Sequence, residues 1–411
     1  MNRVTERKIA ILTTCDTKGV ETLYLKEKII ALGGNPIVVD IGILGEPLGI
    51  VPDVTNNEIA DCVGKTIDEV RNAGSRGAAI ELMSQALRIW LIESCKADLL
   101  CGAVCIAGSG GSFLATEAMQ EMPYGLPKLI TSPIASGTRQ FGPMVGTSDM
   151  TVMHSVVDIL GLNHMSRKVF ANVAGAIVGM ANAYMLELGK DYPPEKCIGI
   201  TMYGQTTPGV MGAKNILEAN GYSCLVFHGN GVGGPSMERL IKQGVFVGIL
   251  DYNLSEMVGN NIAGWTKCSP ERLSVAGEYG LPQVILPGSL DFINLYPPDK
   301  ELAEHAHRKI YNHNKFFPLA RTTKEENIHL AKVIAKKLNA SKAPVHVVLP
   351  KKGFSMIDCV DGPFWDQETD DALRTVLKEN LKVEIPVTEV DANINDPECS
   401  RVAAEAIMSL C

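Results

Sequence analysis

Hydroxyl groups crowd around one lysine in Thr13-Thr14-Cys15-Asp16-Thr17-Lys18-Gly19, a run that follows an apolar stretch and leads into a helix-like one. A helix start leaves N–H groups unpaired and carries partial positive charge, so it favours anions. Thr14, Asp16, Thr17, Lys18 and Gly19 are therefore a candidate phosphate seat. The plainer reading is a helix cap, with Asp16 or Thr17 capping and Glu21 completing the arrangement. A second loop, Ala107-Gly108-Ser109-Gly110-Gly111-Ser112, again lies between an apolar run and a helix-like one. Glycines let backbone approach a ligand closely, and successive amides form an anion nest, which makes Gly108, Ser109, Gly110 and Gly111 candidates as well. Two such loops at neighbouring strand ends favour the ligand. Thr131 and Arg139, after the next apolar run, add a hydroxyl and a cation. Neither the full dinucleotide fingerprint nor a Walker A motif is present, since Gly64-Lys65-Thr66 lacks the upstream glycine.

The second half offers Tyr203-Gly204-Gln205-Thr206-Thr207 and the glycine-rich His228-Gly229-Asn230-Gly231-Val232-Gly233-Gly234. His228, Asp251 and Glu278 are its catalytic candidates, an imidazole and two carboxylates that would position an acceptor or move a proton. Ser289 and Asp291 follow the next strand. A structural histidine is the competing reading for His228. Asp149 suits a water-mediated metal contact or a simple turn. His305, His307 and His313 match no standard metal spacing, so no protein metal site is expected. Loops at 351–355 and 361–365 carry glycine and aromatics and read as a lid or a closure contact. No Ser/His/Asp or Cys/His nucleophile can be assembled from spacing.

Positioning these groups requires alternating strands and helices. The segment Lys8-IAILTTCDTKGVETLYLKEKIIALGGNPIVVDIG-Gly42 runs strand, threonine turn, helix, glycine stop and strand, and Lys196-CIGITMYGQTTPGVMGAKNILEANGYSCLVFHGNG-Gly231 repeats that order. Further strands read at residues 99–106, 128–131, 246–250, 283–286, 345–349 and 384–390. The expected class is α/β, two Rossmann-like doubly wound parallel-sheet domains facing a central cleft. Gly, Pro-Pro and charge in LELGKDYPPE set the boundary between residues 1–189 and 190–411. Residues 169–186 lack charge but contain Asn172 and Asn182, and they read as a buried helix rather than a membrane span. Gly175 and Gly179 in it allow close packing against another helix.

The chain has 411 residues, 46% of them hydrophobic and 20% charged, with a net charge of -8. That length suits two domains, and the acidic balance with no basic stripe argues against nucleic acid. No secretion signal opens the chain, and eleven cysteines with no CxxC pair point to a reducing, cytoplasmic setting.

At TTCDTKGVE, AGSGGS, ANVAGAIVG, MYGQTTPGV, HGNGVGG and LPGSLDF the chain resembles a bacterial and fungal two-domain family. That family shares its ATP-binding region with the tomato mosaic virus resistance protein of plants. The resemblance spans essentially the whole chain. It implies ATP bound mainly by the first domain, on the loops named above, and a homodimer or higher homo-oligomer. The plant protein's further barrel-like domain has no counterpart here, so its antiviral role is not carried over. The leading expectation is an ATP-binding protein, with Mg²⁺ on the phosphates, acting on a small-molecule acceptor held by a second domain that closes the cleft. A non-catalytic nucleotide-responsive module is the first alternative, and a nucleotide-sugar or sugar-phosphate enzyme is the second, the latter by fold analogy.

Overall fold

Apolar runs of five to seven residues, too short for buried helices, become parallel strands. The computed structural model describes residues 7–135, 142–188, 190, 195–312 and 318–411, in two compact units, Met1–Tyr192 and Pro193–Cys411. Unit 1 contains β1 (Lys8–Thr13), β2 (Pro36–Asp40), β3 (Leu100–Ile106), β4 (Lys128–Ser132) and β5 (Thr151–His154). They form one parallel sheet in the order β2-β1-β3-β4-β5. The winding reverses between β1 and β3, and in such sheets a crevice opens there beyond the carboxyl ends of the strands.

Its long helices are α1 (Cys15–Ala31), α2 (Arg76–Lys96), α3 (Ser109–Gln120) and α4 (His164–Leu188). Alternation along β1 assigns them to faces. Ile9 and Ile11 pack with Leu25 and Ile29 of α1 and Phe170 and Ile177 of α4. Ala10 and Leu12 pack with Met83 and Leu87 of α2 and Leu114 and Ala118 of α3. Each large side chain so buried contributes about 1.5–3 kcal/mol. By length and apolar composition α4 suffices to cross a membrane, but Phe170, Val173, Ile177 and Val178 pack it onto the sheet.

Unit 2 contains β6 (Cys197–Met202), β7 (Ser223–His228), β8 (Gly248–Asn253), β9 (Gln283–Gly288), β10 (Phe292–Asn294), β11 (Ile310–Tyr311), β12 (Leu319–Arg321), β13 (Val345–Pro350) and β14 (Val387–Val390). Six of them make a parallel sheet, β14-β13-β9-β8-β6-β7, so the reversal recurs between β6 and β8. Helices α5 (Thr207–Ala219) and α9 (Pro397–Leu410) cover one face, where Ile198, Ile200 and Val284 meet Val210, Ala213 and Ile407. Helices α6 (Gly233–Lys242), α7 (Lys324–Asn339) and α8 (Gln367–Asn380) lie on the other. Both units are thus doubly wound α/β layers, as the sequence repeat implies.

Three features depart from expectation. Strand β5 and the small antiparallel sheet β10-β12-β11 escape a sequence reading because one is not fully buried and the others span two or three residues. The strand expected at 246–250 starts at Gly248 and ends at Asn253. The loops read as a lid are packed: Phe354, Ser355, Asp358 and Phe364 are buried, and Ser355 Oγ donates to Asp291 Oδ2 at 2.7 Å.

Candidate functional site

Thr14 stands between β1 and α1 as the cap position, yet its side chain makes no capping bond. Its Oγ1 lies 2.9 Å from Thr17 Oγ1, while its carbonyl accepts the N–H groups of Thr17 and Lys18 at 3.0 and 2.8 Å. The Cys15 N–H donates to Asp40 Oδ1 at 3.0 Å. These three amides are therefore already bonded, and the bend presents two hydroxyls and an ammonium instead. Lys18 has φ -127° and ψ 19°, a break in the helix just where its side chain leaves the bend. The cap expected from Asp16 or Thr17 with Glu21 does not form, since Glu21 Oε1 accepts the Gly161 N–H at 2.6 Å.

Helix α3 supplies what α1 lacks. It starts from Gly108 with no side-chain cap and no acid in its first turn, so the N–H groups of Ser109, Gly110 and Gly111 have no helical acceptor. Ser112 N–H is the first to bond back, to Gly108 O at 2.9 Å. The glycines divide into two kinds. A Cβ on Gly111 would stand 2.7 Å from Ala107 Cβ, and one on Gly19 would stand 1.7 Å from Leu48 O, so those two exist for packing. Gly108 has nothing within 4 Å, and Gly110 would meet only Ile80 Cδ1 and Arg76 Nη2, at 3.7 and 3.8 Å.

Gly108 and Gly110 open onto a cavity of about 220 Å³ at the β1/β3 reversal. Its lining combines polar groups of Thr14, Thr17, Lys18, Arg76 and residues 108–111 with the aliphatic side chains of Ile41, Ile43, Leu44, Ile80 and Leu114. Pockets that enclose a drug-sized ligand run to roughly 300–1,000 Å³, so this one is smaller than a whole drug-sized ligand needs. Neither Lys18 nor Arg76 has a carboxylate partner among the described residues.

Asp16 also borders the cavity, but its Oδ2 accepts the N–H groups of Leu44 and Gly45 at 2.9 and 3.2 Å and its Oδ1 is buried. Through Oδ2 it braces the loop after β2, while Oδ1 has no hydrogen-bond partner among the described residues. Asp40 holds the strand-end position where dinucleotide folds keep a ribose-binding acid. Here its Oδ1 is spent on the Cys15 and Gly42 amides at 3.0 and 2.9 Å, and burial raises its pKa above the ordinary range. Burial and the Asp40 charge also push the Cys15 thiol up, so it is no nucleophile. Thr131 Oγ1 is buried within β4, outside the cavity lining. Arg139 lies outside the described residues. Asp149 pairs with buried Lys128 at 2.7 Å, and against burial that ammonium holds its carboxyl below the usual range. Thr66, in the segment that mimics a phosphate loop, caps a helix reciprocally with Glu69.

In unit 2 the polar groups at the reversal satisfy one another. Asn253 Nδ2 donates to Thr206 Oγ1 at 3.3 Å and Ser289 Oγ at 2.7 Å, and Ser255 Oγ donates to Asn253 Oδ1 at 2.7 Å. The glycine loop after β7 is filled from within, because Glu256 Oε1 accepts the Gly231 and Gly234 amides at 2.9 and 3.0 Å. Buried Arg272 donates to Glu256 at 2.7 Å and clamps Asp251 through Nη1 at 2.9 Å. Asp251 is thus a structural ion-pair member. His228 stacks on Tyr203 with ring centroids 5.1 Å apart, and burial lowers its pKa. Strand β6 separates β7, which carries His228, from β8, which carries Asp251, a gap of about 10 Å. Glu278 is exposed at the opposite, amino-terminal approach to β9. The three catalytic candidates are not brought together.

Sequence reasoning missed Arg76 and the aliphatic lining. The available signal was an arginine opening a helix whose first turn has no acid.

Comparisons with known proteins agree with this two-unit division. A "UPF0261 protein" of Clostridium tetani (strain Massachusetts / E88) is 39% identical over 405 residues, covering 98% of this chain and 99% of its own. UPF0261 protein RA0729 of Rhizobium meliloti (strain 1021) is 34% identical over 402 residues, covering 97% and 98%. The ToMV resistance protein Tm-1(GCR237) of Solanum lycopersicum is 36% identical over 345 residues, which are 82% of this chain but 45% of that protein. A solved UDP-GlcNAc 2-epimerase from Methanocaldococcus jannaschii overlaps 91% of the chain at 11% identity and a TM-score of 0.21, which bears on neither fold nor function. With residues 7–186 matching the N-terminal domain and 195–411 the C-terminal domain of the "Uncharacterised protein family (UPF0261)", the chain belongs to that family.

Proposed function

We propose that unit 1 binds ATP, with the phosphate chain lying between the first turn of α3 and the Thr14–Lys18 bend. One observation carries the reading: at the sheet's reversal an uncapped helix start, whose three amides have no partner among the described residues, shares a single cavity with two hydroxyls and a lysine that also has none. Anions gain there from amides, dipole and charge together. The adenine is the part taken from resemblance, and the cavity is too small to hold it together with the phosphates. Mg²⁺ would be carried by phosphate oxygens and water, because no acid or histidine cluster suits a metal among the described residues. A cytoplasmic setting is part of the reading, supported by cysteines that are all free.

A second reading is nucleotide-responsive binding without turnover. The described lining holds no imidazole, and its one carboxylate, Asp16, already accepts the Leu44 and Gly45 amides through Oδ2. Calorimetric titration with ATP tests the binding. Lys18→Ala is expected to weaken it at least tenfold, about 1.4 kcal/mol, and an unchanged affinity would remove the seat. Phosphate release across a metabolite panel separates the two readings, turnover favouring an enzyme and its absence the module.

A further inference from the structure

Arg76 occupies the first helical position of α2, just after its Ser75 cap. A cation there opposes the helix dipole, and no acid in the first turn offsets it. The side chain is exposed and has no carboxylate partner among the described residues. Its Nη2 stands 3.8 Å from the place a Cβ on Gly110 would take, over the turn whose amides have no partner among the described residues, and it borders the cavity. Lys18, by contrast, is half-buried and lines the same cavity. A half-buried point charge and an exposed guanidinium fork therefore border the same space, and the fork suits two of the oxygens of a terminal phosphoryl group.

We propose that Arg76 reads the charge of the phosphate chain, closing on its outermost phosphoryl so that affinity climbs with chain length. This rests on the nucleotide reading above. The interaction is ionic and hydrogen-bonded, and it makes or breaks no covalent bond.

The test is a titration of ATP, ADP, AMP and inorganic tripolyphosphate into the full chain and its Arg76→Ala, Arg76→Lys and Arg88→Ala variants. Arg88 is exposed on the same helix and absent from the cavity lining. Arg76→Ala is expected to lose about tenfold or more for ATP and tripolyphosphate while AMP changes by no more than about threefold. Arg76→Lys should recover part of the loss, and Arg88→Ala should behave as wild type. Equal losses for AMP and ATP, or none for ATP, would overturn the charge-reading role while wild-type binding still stood. A wild-type chain that bound neither ATP nor tripolyphosphate would overturn the nucleotide reading, and this role with it.

Discussion

Side by side in one short loop, Gly110 and Gly111 serve different ends. Gly111 lets α3 sit against Ala107 and Thr14, whereas Gly110 leaves space over the helix start. Gly111→Val should therefore destabilise the fold by about 1–3 kcal/mol, the usual cost of overpacking, and a lowered melting temperature would register it. Gly110→Val should melt as wild type yet lose ATP affinity about tenfold or more by calorimetry. The two loops were legible because hydroxyls, glycines and a lysine sit locally between apolar runs. Arg76 and Ile80 were not, since only packing of α2 beside α3 brings them to the same cavity. Nor did sequence show that Asp16 would be consumed by the Leu44 and Gly45 amides, a contact made across intervening chain.

The parallel strands could be read from unbroken apolar runs such as LCGAVCI, which is buried throughout. Their order could not, and the order creates the crevice. The small sheet of unit 2 likewise became visible only through its partners. Arg321 of β12 reaches Asp370 of α8 at 2.7 Å and Asp358 at 3.8 Å, and it donates to the Asp291 carbonyl at 3.1 Å. Burial pushes Asp291 and Asp358 up to about 7 and Asp370 to about 8. Their folded-state pKa values lie above the unfolded ones, so the folded form holds more protons between them. This contribution to stability is full below the unfolded carboxylate range near pH 4 and is lost as pH rises through about 7–8. Asp370→Asn should flatten that fall, measured as the denaturant midpoint of the full chain between pH 5 and 8. A steeper fall, or the wild-type slope, would contradict the assignment.

At the scale of the molecule the same winding is used twice with opposite outcomes. Unit 1 leaves its reversal open between Thr14 and Gly110, while unit 2 fills its glycine loop with Glu256 and holds that carboxylate with Arg272. The repeat was plain in the sequence. The internal carboxylate was not, because Glu256 follows the loop by more than twenty residues. Ligand that binds only the folded form stabilises it by about 2.7 kcal/mol at a hundredfold excess over Kd, and here that gain should fall on unit 1 alone. Amide hydrogen exchange of the full chain with and without saturating ATP tests this most directly. Exchange should slow at residues 14–19 and 109–111 and stay unchanged at 229–234. Protection at 229–234 with none at 109–111, or no protection at either, would contradict a phosphate seat on α3.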